Sequence, residues 1–137
     1  MTPIRWKAAP RLVGTATLAL VISSSLAHAQ GLIGKWSAEQ TCGTQSAQIV
    51  FRGTTMELWE ASRRLFTGSV RFRNSGNETA VTIVSVGRGT QQLPGNPEVG
   101  DVSSFRRDGN LMFPVAFTRN GQRRAAPAGT PPFYLCP

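Results

Sequence analysis

The chain has 137 residues, 15 basic against 7 acidic side chains, a formal net charge of +8 and one histidine, His28. Beyond His28 there is no imidazole, which excludes Ser-His-Asp and Cys-His nucleophile systems and the usual zinc sites. The carboxylates are scattered and Gly87-Arg88-Gly89 lacks the spacing of a phosphate loop, so the sequence points away from an enzyme and calls for no cofactor or metal.

The N-terminus reads as an export signal. Arg5, Lys7 and Arg11 form a basic n-region, an apolar stretch runs from Leu12 to Ile22, and Ala27-His28-Ala29 supplies the small-x-small pattern of a cleavage site. A membrane anchor is the alternative, but a span needs about 20 apolar residues and this run is roughly half that. No Cys follows the apolar run for lipid attachment, and Trp6 separates Arg5 from Lys7, so Sec export to a periplasm or the medium is expected. The expected organisation is a cleaved signal over 1–29 and one domain over 30–137. That domain keeps 12 of the basic residues and all 7 acidic ones, a net of +5, and its only Lys is Lys35. The balance fits either an Arg-favouring genome or attraction to an anionic envelope component or acidic protein. Nucleic acid is not an expected partner.

From Lys35 onward the period is two. Strands are expected at Lys35–Glu39, around Ile49 and Phe51, and around Met56 and Leu58 after the turn at Gly53-Thr54. Phe66, Gly68, Val70 and Phe72 share one face of the next strand, with Thr67, Ser69, Arg71 and Arg73 on the other. Asn74–Asn77 is a turn cluster, and the β-branched run Thr79–Val86 leaves its orientation open. Asn77-Glu78-Thr79 is a glycosylation sequon, relevant only in a eukaryotic secretory path. Asp108-Gly109 and Asn120-Gly121 are hairpin signals around Leu111–Thr118. There Leu111, Phe113, Val115 and Phe117 are expected to face the core, with Met112 outside. Pro114 cannot donate to a ladder and marks a bulge or an edge. Phe133–Cys136 is the expected closing strand.

Eight or nine short strands in consecutive hairpins favour an all-β, small eight-stranded up-and-down barrel, with a two-sheet β-sandwich as the alternative. Cys42 and Cys136 are the only cysteines. In an oxidising compartment they are expected to pair rather than remain free, clipping the first element to the last. A loop of that length is worth about 4–5 kcal/mol in the chain-entropy model.

Gly34-x-Trp36 at the first strand of such a meander resembles the calycin families: lipocalins, avidins and related secreted inhibitors. The resemblance covers the start of the domain, the meander and the terminal cysteine pair. It implies that Trp36 closes the barrel base against an arginine, for which Arg123 and Arg124 are the candidates. An eight-stranded barrel is just wide enough to be filled by side chains or to hold one small ligand. With so many large inward residues, filling is expected, and binding then falls to mouth loops and outer face. The candidate binding surface comprises Trp59, expected on the outer face, Arg71, Arg73, Arg88 and Pro94. Arg63, Arg64, Arg106 and Arg107 would extend a basic band if their strands are neighbours. The Gly- and Pro-rich segment Gly87–Gly100 is either a binding loop or a plain connection.

Two functions remain open. One is an exported non-enzymatic binding protein for a small apolar or anionic ligand or an envelope component. The other is a secreted protease inhibitor acting through Gly87–Gly100, by analogy of fold alone.

Overall fold

The computed structural model describes residues 31–137, so the expected signal segment and its cleavage point lie outside the described residues. The described chain is built from strands: β1 (Gly34–Ser37), β2 (Gln48–Arg52), β3 (Thr55–Glu60), β4 (Arg63–Ser75), β5 (Glu78–Val86), β6 (Val102–Asp108), β7 (Leu111–Arg119), β8 (Gln122–Ala125) and β9 (Phe133–Leu135). Strands β1 to β7 pair antiparallel with their sequence neighbours. β9 lies between β1 and the first residues of β7, and this closes an eight-stranded barrel. β8 is the extra strand, paired to the far part of β7 from Ala116 to Arg119, with all four residues exposed. The barrel is the expected one, compatible with a calycin-like fold, and the sandwich is not adopted.

The period-two pattern sets the inward face. Trp36, Ile49, Phe51, Met56, Phe66, Val70, Val81, Ile83, Phe105 and Met112 form one core, with Leu58, Phe72, Phe133 and Leu135 packed against it. Phe51 meets Phe72 and Phe105 edge to face, at ring-centroid distances of 5.6 and 6.4 Å. Gly68 shares the inward face of β4, and a Cβ there would lie 2.4 Å from the Ser85 carbonyl oxygen and 2.8 Å from the Phe66 ring. The glycine lets Phe66 lie over the strand while β5 approaches closely. Cys42, in the β1–β2 connection, is bridged to Cys136 just after β9, with the Cα atoms 5.8 Å apart. The clip joins elements on either side of β1, as expected. Such a bond belongs to an oxidising, non-cytoplasmic compartment.

β7 departs from expectation. Met112 is fully buried in the core, whereas Phe117 is 39% exposed and Leu111, Phe113 and Val115 are only partly buried. The assignment of those four residues to the core, with Met112 outside, is therefore corrected. Met112 pairs with Phe133 and Pro114 with Phe105, both partners of core character, while Ala116 pairs with Ser104, leaving Val115 as an extra residue. The bulge follows Pro114, as its missing N–H requires. The inversion has a packing cause. Both faces of β7 are apolar, and an interior already holding Trp36, Phe51, Phe66 and Phe105 accepts a flexible Met better than another ring. Phe113 instead lies outside beneath the Arg106 guanidinium, 4.7 Å from ring centre to Cζ.

Two more bulges matter. Leu58 pairs with Phe66 but Trp59 pairs with Arg64, so Leu65 is extra. Val70 pairs with Ile83 but Ser69 pairs with Ser85, so Val84 is extra and stands 48% exposed. The second settles the orientation of β5, with Val81 and Ile83 inside.

Candidate functional site

The barrel base is closed by Trp36. Its indole N–H donates to the Leu32 carbonyl oxygen at 2.9 Å, and Leu32 itself is buried. The guanidinium over the Trp36 ring, 5.2 Å from its centre, belongs to Arg107 at the end of β6. Arg107 also donates to the carbonyl oxygens of Gly31 and Gly109, which ties the strap before β1 to the β6–β7 turn. The arginine over Trp36 is thus neither Arg123 nor Arg124. Arg123 reaches Glu78 at 3.6 Å on the outer surface, and Arg124 lines a shallow groove of about 330 Å³ with Phe117 and Arg119. Sequence order misled here, because β8 pairs only with the far part of β7, whereas Arg107 at the end of β6 reaches Trp36.

The interior is filled: Trp36, Phe51, Phe66 and Met112 are each 0% exposed. The described cavities lie on the outside and at the rim, and none is lined by these four.

One of them is a groove of about 230 Å³ on the outer face of β1–β3. Its floor is Val50, outward-facing yet only 3% exposed, and the half-buried Trp59 forms one wall. Trp59 stands outward as expected, between Gln48 on β2 and Arg64 on β4. The Leu65 bulge lies directly opposite, and bulges of this kind re-aim side chains. Lys35 and Arg52 border the groove as cations. Arg52 is 3.6 Å from Glu57, whose other oxygen accepts a hydrogen bond from Arg64 at 3.1 Å. Two guanidinium groups, those of Arg52 and Arg64, therefore attend this carboxylate. The β1–β2 connection folds back to supply Thr44 and Ser46. Ser46 is held internally by Ser37 and the Gly43 carbonyl oxygen, and Gln48 donates to that same oxygen, leaving its amide oxygen unengaged in the described hydrogen bonds.

The groove's far corner is strained. Ala61 and Ser62 have φ of 51° and 64°, a pair of left-handed residues that two-residue hairpins normally fill with Asn-Gly or Asp-Gly. Each costs about 1–2 kcal/mol without glycine's freedom. Ser62 lines the groove and holds the Thr44 carbonyl oxygen at 3.4 Å.

The Gly87–Gly100 segment is neither regular nor loose. Gln91 and Asn96 donate to the Leu65 carbonyl oxygen, Thr90 exchanges hydrogen bonds with the Thr67 backbone, and Arg119 reaches Asn96. At its end Asp101 accepts from Arg119 at 2.6 Å and from the Glu98 amide at 2.8 Å. Burial pushes the Asp101 carboxyl up, but those hydrogen bonds and the Arg119 charge outweigh it and hold the group below its ordinary value. This fixed loop carries Leu93 and Val99, 39% and 64% exposed, which line a rim groove of about 510 Å³ with Val86 and Pro94. Arg88 is exposed on the same segment.

Arg71 and Arg73 project from the outer face of β4, opposite Thr82 and Ala80. No continuous basic band forms. Arg64 turns to Glu57, Arg107 goes to the base, and Glu78 pairs with Arg106 two strands from Arg73. The described residues contain no cluster of three metal-ligating side chains. Sequence reasoning found Trp59 but missed Lys35, Thr44 and Ser62 as its neighbours. Only the strand pairing brings them together, and Ala61-Ser62 carries no turn signature.

No protein-family model matches the chain, and neither the curated proteins nor the solved structures hold a significant match to it.

Proposed function

We propose that this chain is an exported, non-enzymatic binding protein of calycin-like form that engages a small ligand or envelope component on its outer face, at the Trp59 groove. The observation that carries the reading is the filled interior, since Trp36, Phe51, Phe66 and Met112 leave no room for engulfment. What remains is an aromatic wall, an apolar floor and convergent polar groups, the usual makeup of a small-molecule site. Native mass spectrometry of protein recovered from its own host tests it. A bound species retained by the wild type and lost from Trp59→Ala is expected; a species retained equally by both overturns the assignment.

The second reading is protease inhibition through Gly87–Gly100. It is favoured by a specific observation: the loop is pinned by Leu65, Thr67 and Arg119 yet displays Leu93 and Val99. A preorganised loop loses little entropy on docking. A protease panel with wild type and Leu93→Asp/Val99→Asp is decisive. Inhibition abolished by the double change supports it, and absence of inhibition throughout removes it.

A further inference from the structure

We infer that the Trp59 groove takes an acidic sugar unit, a pyranose bearing a carboxylate, with the sugar ring against the indole and the carboxylate toward Lys35 and Arg52. The inference rests on the outer-face binding reading and deepens it.

Four features converge. Trp59 presents a half-buried indole on the same outward face as Lys35 and the buried Val50; Val50 has Lys35 and Glu57 as its cross-strand partners, and Trp59 lies one outward position further along β3 from Glu57. A sugar ring offers C–H groups on one face, which suit such a surface, and hydroxyls at its edge. The groove's edge is correspondingly polar: Thr44, Ser62 and the Gln48 amide oxygen stand around it. A purely apolar ligand covering the Gln48 amide oxygen would leave it without a partner, which costs free energy on closure. A nucleobase would call for a second apolar face, and apart from Trp59 and Val50 the groove is lined by Lys35, Arg52 and polar side chains.

Charge selects among sugars. Lys35 has no ion-pair partner among the described residues, and Arg52 is only loosely held by Glu57, which Arg64 already satisfies. A carboxylate placed between Lys35 and Arg52 would gain charge-assisted hydrogen bonds. The volume, about 230 Å³, suits one ring rather than an extended oligomer.

Strain is the independent observation. The structure holds Ala61 and Ser62 in left-handed conformations at the corner that delivers the Ser62 hydroxyl, and the one bulge in the β3–β4 pairing sits beside Trp59. Strained backbone persists where the surrounding structure over-determines it, and such outliers gather at ligand sites.

The test titrates the disulfide-bonded full chain with galacturonate, galactose and polygalacturonate, followed by amide and indole NMR shifts. Galacturonate is expected to shift Trp59, Lys35, Thr44 and Ser62 at millimolar concentration. Galactose should bind at least tenfold more weakly, and Lys35→Met should bring galacturonate down to the galactose level. Trp59→Ala should abolish both, with an unchanged amide spectrum elsewhere showing that the barrel is intact. Polygalacturonate binding more tightly per unit than the monomer marks an envelope polysaccharide as the source; equal binding marks the free sugar acid. Galacturonate and galactose binding alike, or neither shifting Trp59, overturns the acidic-sugar assignment. An envelope extract shifting Trp59 where the sugars do not would overturn the sugar alone, whereas shifts confined to the Gly87–Gly100 rim would overturn the outer-face reading itself.

Discussion

The β3–β4 and β7–β8 hairpins impose the same backbone on different residues. Asn120 and Gly121 turn the second with φ of 53° and 76°, the conformation that Asn-Gly adopts readily. Ala61 and Ser62 turn the first with nearly the same angles and no such aptitude. The stems differ in the opposite sense. Beneath the β3–β4 turn lies Phe66, fully buried, whereas Phe117 on the β7–β8 stem is 39% exposed. Arg64 and Glu57 pair within the first stem, whereas Arg119 of the second reaches out of it to Asp101, just before β6. The unfavourable turn therefore stands on the strong stem and the favourable turn on the weak one. A packed core can hold a strained turn in place, and here it holds the one bordering the Trp59 groove.

The largest expected effect breaks the stem contrast. Phe66→Ala should lower unfolding free energy by about 3–5 kcal/mol in urea titration, while Phe117→Ala stays within about 1 kcal/mol. Similar losses at both sites would show that β7 packs inward in solution.

Next comes the close approach behind Phe66. Gly68→Ala places a Cβ 2.4 Å from the Ser85 carbonyl oxygen, an overpacking expected to cost about 1–3 kcal/mol. Gly121→Ala meets no atom within 4 Å and loses stability only through its φ of +76°. Hydrogen exchange separates the two: the first should open β4 and β5 together, the second only the β7–β8 turn. Opening confined to one strand in the Gly68 variant would break the assignment.

Exchanging the turns sharpens the comparison directly. Ala61→Asn with Ser62→Gly should raise stability by about 1–2 kcal/mol, and Asn120→Ala with Gly121→Ser should lower it by about the same. Thermal melts of both variants check this. A stabilised first variant with weakened ligand binding would show that the strain serves the groove; a destabilised one would show that the turn is not strained.

The smallest effect is in pH. The Asp101 carboxyl titrates below its ordinary value of 3.8 in the folded chain, so protonation favours unfolding. Its contribution is present above the unfolded value and is lost as pH falls through the folded one, giving weakening from about pH 5 downward. Arg119→Met should flatten that part of the stability curve. An unchanged acid profile in this variant would remove the ion pair as its source.

The barrel was legible from the residues alone because the relevant signals are local. Alternation from Ile49 to Phe72 set the inward face of three strands, and Gly53, Asn74–Asn77, Asp108-Gly109 and Asn120-Gly121 marked the hairpins. Two cysteines with no others available left one pairing, and the structure forms it. Trp59 took the outward face that its spacing assigned. Tertiary structure alone decided what alternation cannot encode. On β7 both faces are apolar, so the choice of Met112 over Phe113 for the interior fell to the volume left by Trp36 and the phenylalanines. The three bulges arise where paired strands must bend around a closed barrel, and each shifts a register that no single strand records. Arg107 reached Trp36 because closure brings the end of β6 to the base, and Lys35 came to line one groove with Trp59 because β1, β2 and β3 are adjacent. These are distances between strands, fixed only when the sheet closes on itself.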